Sequence, residues 1–111
     1  MRVARRQRWL GALAVALLSA CATPALPTAQ SADAERAATR YPGITAAELN
    51  RGRELYGARC SVCHRPVAPS AIDAAAWPRH LMEMKDRAGL TPDETATIER
   101  YLLTMASGTG S

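Results

Sequence analysis

Five consecutive residues, Cys60-Ser61-Val62-Cys63-His64, place two sulfur nucleophiles three positions apart and an imidazole directly after the second. On one helical turn, cysteines at that spacing span the edge between two neighbouring pyrroles, where two vinyl groups can take up thioether bonds. The adjacent histidine then swings under the ring and reaches iron from the proximal side. C-x-x-C-H is the attachment signature of a covalent c-type haem, and the sequence predicts one haem c held by Cys60, Cys63 and His64. Three other chemistries compete for these residues. A thioredoxin-like pair needs a strand before it, and no βαβ pattern surrounds this one. A zinc site needs a fourth ligand, and the one other histidine in the chain is His80. A plain disulfide leaves His64 unexplained.

The chain has 111 residues and three cysteines, so one cysteine stands outside this motif. Its place is Cys21, at the end of an apolar run from Leu10 to Leu18 that follows Arg2, Arg5, Arg6 and Arg8. Residues 1–20 read as a secretory signal, since the run is too short for a transmembrane helix of about 20 residues. The formal charge of +4 belongs to this leader: without its four arginines, ten basic residues face ten acidic ones. A neutral remainder excludes nucleic acid as a partner. Leu18-Ser19-Ala20-Cys21 resembles a bacterial lipobox, which implies lipidation of Cys21 and a new N-terminus there. Several acyl chains on one residue anchor a protein stably. In that family Ala22, rather than Asp, implies the outer membrane, and the domain then stands on the periplasmic side.

Residues 21–43 hold Pro24, Pro27, Pro42 and many Ala, Ser and Thr without apolar periodicity. They predict a lipidated flexible tether, with a frayed helix around Ala32–Arg40. A folded domain is expected over 44–107 and a disordered tail over 108–111. Thr45-Ala46-Ala47-Glu48 and Thr91-Pro92-Asp93-Glu94 are capping boxes opening two helices. A third helical stretch opens between Asp73 and Pro78 and runs to about Ala88, closed by Gly89. Ile98, Tyr101, Leu102 and Met105 mark one face of the last helix. Nothing alternates like a strand, so the fold class is all-α, three to four helices around one haem.

Gly52-x-x-Leu55-Tyr56-x-x-x-Cys60-x-x-Cys63-His64, with Ile98-x-x-Tyr101-Leu102 on a late helix, resembles the class I cytochrome c family over residues 44–106. The resemblance implies that the first and last helices of that domain cross closely, Gly52 against Tyr101. The short interval between the motif and His80 is similar to short bacterial monohaem domains. In those a proline after the motif is followed by Trp and, seven residues on, Met, which are here Pro69, Trp77 and Met84.

The distal iron ligand is sought among His80, Met82, Met84 and Met105. Trp77, Leu81, Met84 and Ala88 share one helical face, which favours Met84. His80 borders that face, Met82 points towards Arg79 and Asp86, and Met105 belongs to a packing stripe. His80, Met82 and an open sixth site remain alternatives. Trp77 is a candidate for packing on the haem or for donating its indole N–H to a propionate, with burial as core the favoured reading. Arg65 and Arg79 are candidate propionate partners. Pro66 and Pro69 either shape the loop holding the proximal imidazole or simply stop the helix.

A six-coordinate haem with no acid–base constellation beside it points to single-electron transfer, not enzymatic turnover. The expected partners are redox proteins, met by a monomer tethered to the membrane. A ligand-sensing haem protein with an open sixth site, and a subunit of a larger redox complex, are the alternatives.

Overall fold

The computed structural model describes residues 26–108. Four α-helices carry these residues: α1 (Ser31–Ala37), α2 (Ala46–Cys60), α3 (Trp77–Met84) and α4 (Pro92–Ser107). Two 3₁₀ turns, Pro69–Ala71 and Ala74–Ala76, precede α3. The described residues contain no strand, and the fold is the all-α cytochrome c-like one expected. None of the described helices is long and apolar enough to cross a membrane.

Both predicted capping boxes open their helices. The Thr45 hydroxyl accepts from the Glu48 N–H (3.1 Å) while the Glu48 carboxylate accepts from the Thr45 N–H (2.8 Å). Thr91 and Glu94 repeat the exchange at 3.2 and 3.0 Å. Each pair satisfies two N–H groups that a helix start leaves without partners. The third helical stretch stops at Met84, four residues short of the expected end. Gly89, at φ +64°, closes the turns that follow, and the Leu90 N–H reaches back to the Lys85 carbonyl (3.0 Å). Only glycine takes that left-handed conformation without strain.

α4 is the element against which α1, α2, α3 and both 3₁₀ turns pack. Its buried side chains are Ile98, Tyr101, Leu102, Leu103 and Thr104. Met105, half-buried, packs against the apolar cluster of the core, as its place on the stripe predicted. The α2 stripe facing α4 is Leu49, Gly52, Tyr56 and Cys60, spaced three or four apart. A Cβ on Gly52 would overlap the Thr97 carbonyl oxygen and lie 2.7 Å from the Tyr101 Cβ. The two helices cross at this glycine, the contact that the resemblance implied.

Residues 26–43 correct the expectation of a loose tether. The Arg53 Nε donates to the Leu26 carbonyl (2.8 Å) and the Tyr101 hydroxyl to the Pro27 carbonyl (2.7 Å). Asn50 accepts from the Ala29 N–H (2.8 Å) and donates to the Ala29 carbonyl (3.0 Å). Ala29 and Ala37 are buried against Leu49, and the Asp33 carboxylate caps α1 by accepting from the Gln30 N–H (2.7 Å). The physical reason is that this segment is held by polar side chains of α2 and α4 meeting its backbone, a bond pattern that leaves no apolar period to read. The folded unit therefore includes residues 26–43. The leader, Cys21 and residues 109–111 of the expected tail lie outside the described residues.

Candidate haem site

Cys60 is the last residue of α2 and the last member of its buried stripe, so the helix itself carries one sulfur into the core. Burial, and then the neighbouring Cys63, push its thiol above the usual range, which keeps this sulfur neutral among apolar neighbours. Cys63 lies past the helix end and is exposed, as is His64. The two cysteines are unbridged. One helical turn thus turns the motif from the core outward, with two sulfurs on its edge.

The proximal imidazole is oriented by its own loop. His64 Nδ1 lies 3.0 Å from the Arg65 carbonyl oxygen. A carbonyl can only accept, so it fixes the proton on Nδ1 and leaves the Nε2 lone pair for a metal. The loop is itself tied down by two buried aromatics. The Tyr56 hydroxyl donates to the Val67 carbonyl (2.6 Å), and the Trp77 indole N–H donates to the Pro69 carbonyl (2.9 Å). Their rings meet edge to face at 6.0 Å. The indole N–H is thus committed to Pro69, in keeping with burial of Trp77 as core. Trp77 is core, packed behind Cys60 with Tyr56 and Leu81.

A cavity of about 110 Å³ opens between the motif and α3, lined by Arg59, Cys60, Cys63, His64, Met84, Arg87 and Ala88. It joins both thiols, the imidazole and the favoured methionine, residues up to 24 positions apart in the chain. Met84 and Ala88 reach it together from one face. His80 sits aside, its ring 6.2 Å from that of Trp77. Met82 is 58% exposed and lines a separate hollow with Lys85, Asp86 and Leu90. Larger concavities exist among the described residues, one of about 380 Å³ around Tyr41 and another of about 210 Å³ beside Ala37, but neither carries a thiol or an imidazole. Donor chemistry, more than size, selects the site.

The residues present fit a haem. Porphyrin iron would bring four nitrogens of its own and take further donors from the protein, and an imidazole (His64) and a thioether (Met84) share this cavity. A cavity of 110 Å³ is smaller than ordinary ligand pockets of about 300–1,000 Å³, so a macrocycle would fill it and extend beyond it.

Two arginines give the cavity a cationic lining. Arg59 and Arg87 reach the cavity, whereas Arg65 and Arg79 do not line it. Arg59 is paired with Glu94 at 2.9 and 3.1 Å. Hydrogen bonds from the Thr91 backbone and from Arg59 hold the Glu94 carboxyl below its usual range. Arg87 makes no ion pair with another described residue. The position of Arg59, one residue before the first cysteine, was the available signal. For Arg87, its place three residues after Met84 was the corresponding one.

Residues 56–111, half of the chain, match the family described as dihaem cytochrome c. No curated protein and no solved structure matches the chain. The match opens at Tyr56 and spans the haem motif, α3 with Met84, and α4, the elements that build and back the cavity. The chain belongs to the dihaem cytochrome c family.

Proposed function

We propose that this chain binds a single haem c and passes single electrons between redox proteins of the cell envelope. The observation that carries this reading is the convergence of Cys60, Cys63, His64 and Met84 on one cavity. The thioethers would form on Cys60 and Cys63, with His64 as the proximal ligand and Met84 as the distal one. When bound, haem supplies a reversible one-electron change at its iron. The protein's own part is to hold it: α2 and the Tyr56- and Trp77-tied loop fix the proximal side, and α3 presents the thioether. These residues contain one C-x-x-C-H, which supports one haem on this chain even within a family described as dihaem. Lipid on Cys21 would keep the carrier at the periplasmic side of a membrane, the outer one by the residue that follows it.

The test is a haem count by alkaline pyridine spectrum and intact mass, followed by a spectroscopic redox titration. One haem per chain that survives denaturation, titrating as a single one-electron wave, is the expected outcome. Two haems on the chain, or none covalently held, would refute it. Rapid CO binding by the native ferrous protein would instead indicate an open sixth site and a ligand-binding role.

A further inference from the structure

Residues 26–30 lie along α2 and α4 as a strap, with successive anchors at Leu26, Pro27 and Ala29. The bonds run to Arg53, Tyr101 and Asn50, side chains of the two longest helices, so the strap is part of the fold. Only residues 22–25 then separate Cys21 from it. Whatever their conformation, an extended chain spans at most about 3.6 Å per residue, so Cys21 and Leu26 are no more than about 18 Å apart. Arg53, the first anchor, precedes Cys60 by seven residues on α2, which is about 10 Å of helical rise. The cavity end of α2 is thus held on the order of 30 Å from Cys21.

We infer that the folded domain is docked against the lipid surface by this short leash, and does not swing on a long tether. This rests on the reading that Cys21 is lipidated. The flank of α2 that carries Arg53 and Gly57, where Leu26 is seated, lies nearest the headgroups. Leu26 is fixed there from two sides: its carbonyl by Arg53, and its Cδ1 at 3.5 Å from where a Gly57 Cβ would stand. An electron partner must then meet the domain within the layer next to the bilayer, so it is itself membrane-held or reaches down to that layer.

The experiment uses the full chain, matured in a bacterial envelope and reconstituted into phosphatidylethanolamine–phosphatidylglycerol vesicles carrying a headgroup fluorophore, which haem quenches by energy transfer. A second form carries a forty-residue Gly/Ser insertion between Ala25 and Leu26, ahead of the strap; its visible spectrum verifies that the domain is intact. Strong quenching by the parent and several-fold weaker quenching by the lengthened form are expected. Equal quenching by the two, with lipid confirmed on both by mass, overturns the docking and leaves anchoring in place. A parent that carries no lipid removes the anchoring and the docking together.

Discussion

Arg59 and Glu94 join the last turn of α2 to the first turn of α4 through two hydrogen bonds, 2.9 and 3.1 Å long, at the rim of the haem cavity. The pair makes the two cavity arginines unequal. Arg59 has its charge largely compensated, while Arg87 faces the same cavity without an ionic partner among the described residues.

That inequality predicts opposite shifts in reduction potential. Ferric haem carries one more positive charge than ferrous, so an uncompensated cation nearby favours the reduced form. Arg87→Gln should lower the potential by a few tens of millivolts, the size expected for a unit charge on the order of 10 Å away near a surface. Glu94→Gln should raise it, because the amide keeps the cap on α4 but no longer offsets Arg59. Redox titration at low and high salt reads both. A downward shift in Glu94→Gln would contradict the assignment, and high salt should shrink both effects.

Met84→Ala should abolish the weak red Met-to-iron charge-transfer band of the ferric protein and lower its potential, since a thioether ligand raises it. Met82→Ala and His80→Ala should leave the band in place, Met82 lying on another hollow and His80 beside Trp77. Survival of the band in Met84→Ala would remove Met84 as the ligand.

Two glycines of α2 should respond oppositely to the same substitution. Gly52→Ala drives a methyl group into the Thr97 carbonyl and the Tyr101 side chain, and overpacking of this kind costs about 1–3 kcal/mol. Gly57→Ala meets only Leu26 Cδ1, at an ordinary 3.5 Å, and gains up to about 1 kcal/mol of helix propensity. Thermal melts should separate the two by roughly 10 °C or more, at about 4–8 °C per kcal/mol for a domain of this size. A Gly52→Ala variant as stable as the parent would show that the crossing is looser than described.

Burial pushes the Tyr101 hydroxyl from the usual 10 up to about 12. The fold therefore favours the neutral phenol, and the unfolded chain ionises first as pH rises. Stability from this source is complete below about pH 10 and is lost between pH 10 and 12. Tyr56, also raised to about 12 chiefly by burial, adds to the same loss. Tyr101→Phe should cost about 1 kcal/mol near neutrality through the lost bond to Pro27. Its stability should also fall less steeply than the parent's above pH 10. Urea denaturation at stepped pH measures both, and parallel curves would exclude the ionisation argument.

The helices and the site were legible for one physical reason: their signals are local. Thr45 with Glu48, Thr91 with Glu94, and the two cysteines with His64 all act within one turn. Met84 was reached by the same logic, from the face it shares with Trp77, Leu81 and Ala88. The strap was not legible because its bonds join residues 21, 27 and 74 positions apart and fall on backbone atoms, which every sequence possesses. The cavity arginines, Arg59 and Arg87, were not read for a related reason: the end of α2 and the turn after α3 bring them together only in the fold.

The bond between the Tyr101 hydroxyl and the Pro27 carbonyl spans 74 residues, nearly the whole described chain, and so bears on the order of assembly. Closing so long a loop is entropically the most demanding step, and contacts of that separation form after local ones. As the chain is made from its N-terminus, the strap emerges well before α4, the last described helix, which carries the Tyr101 hydroxyl that donates to it. The strap must therefore wait for α4, and premature cleavage after α3 would leave its Pro27 carbonyl without the Tyr101 donor.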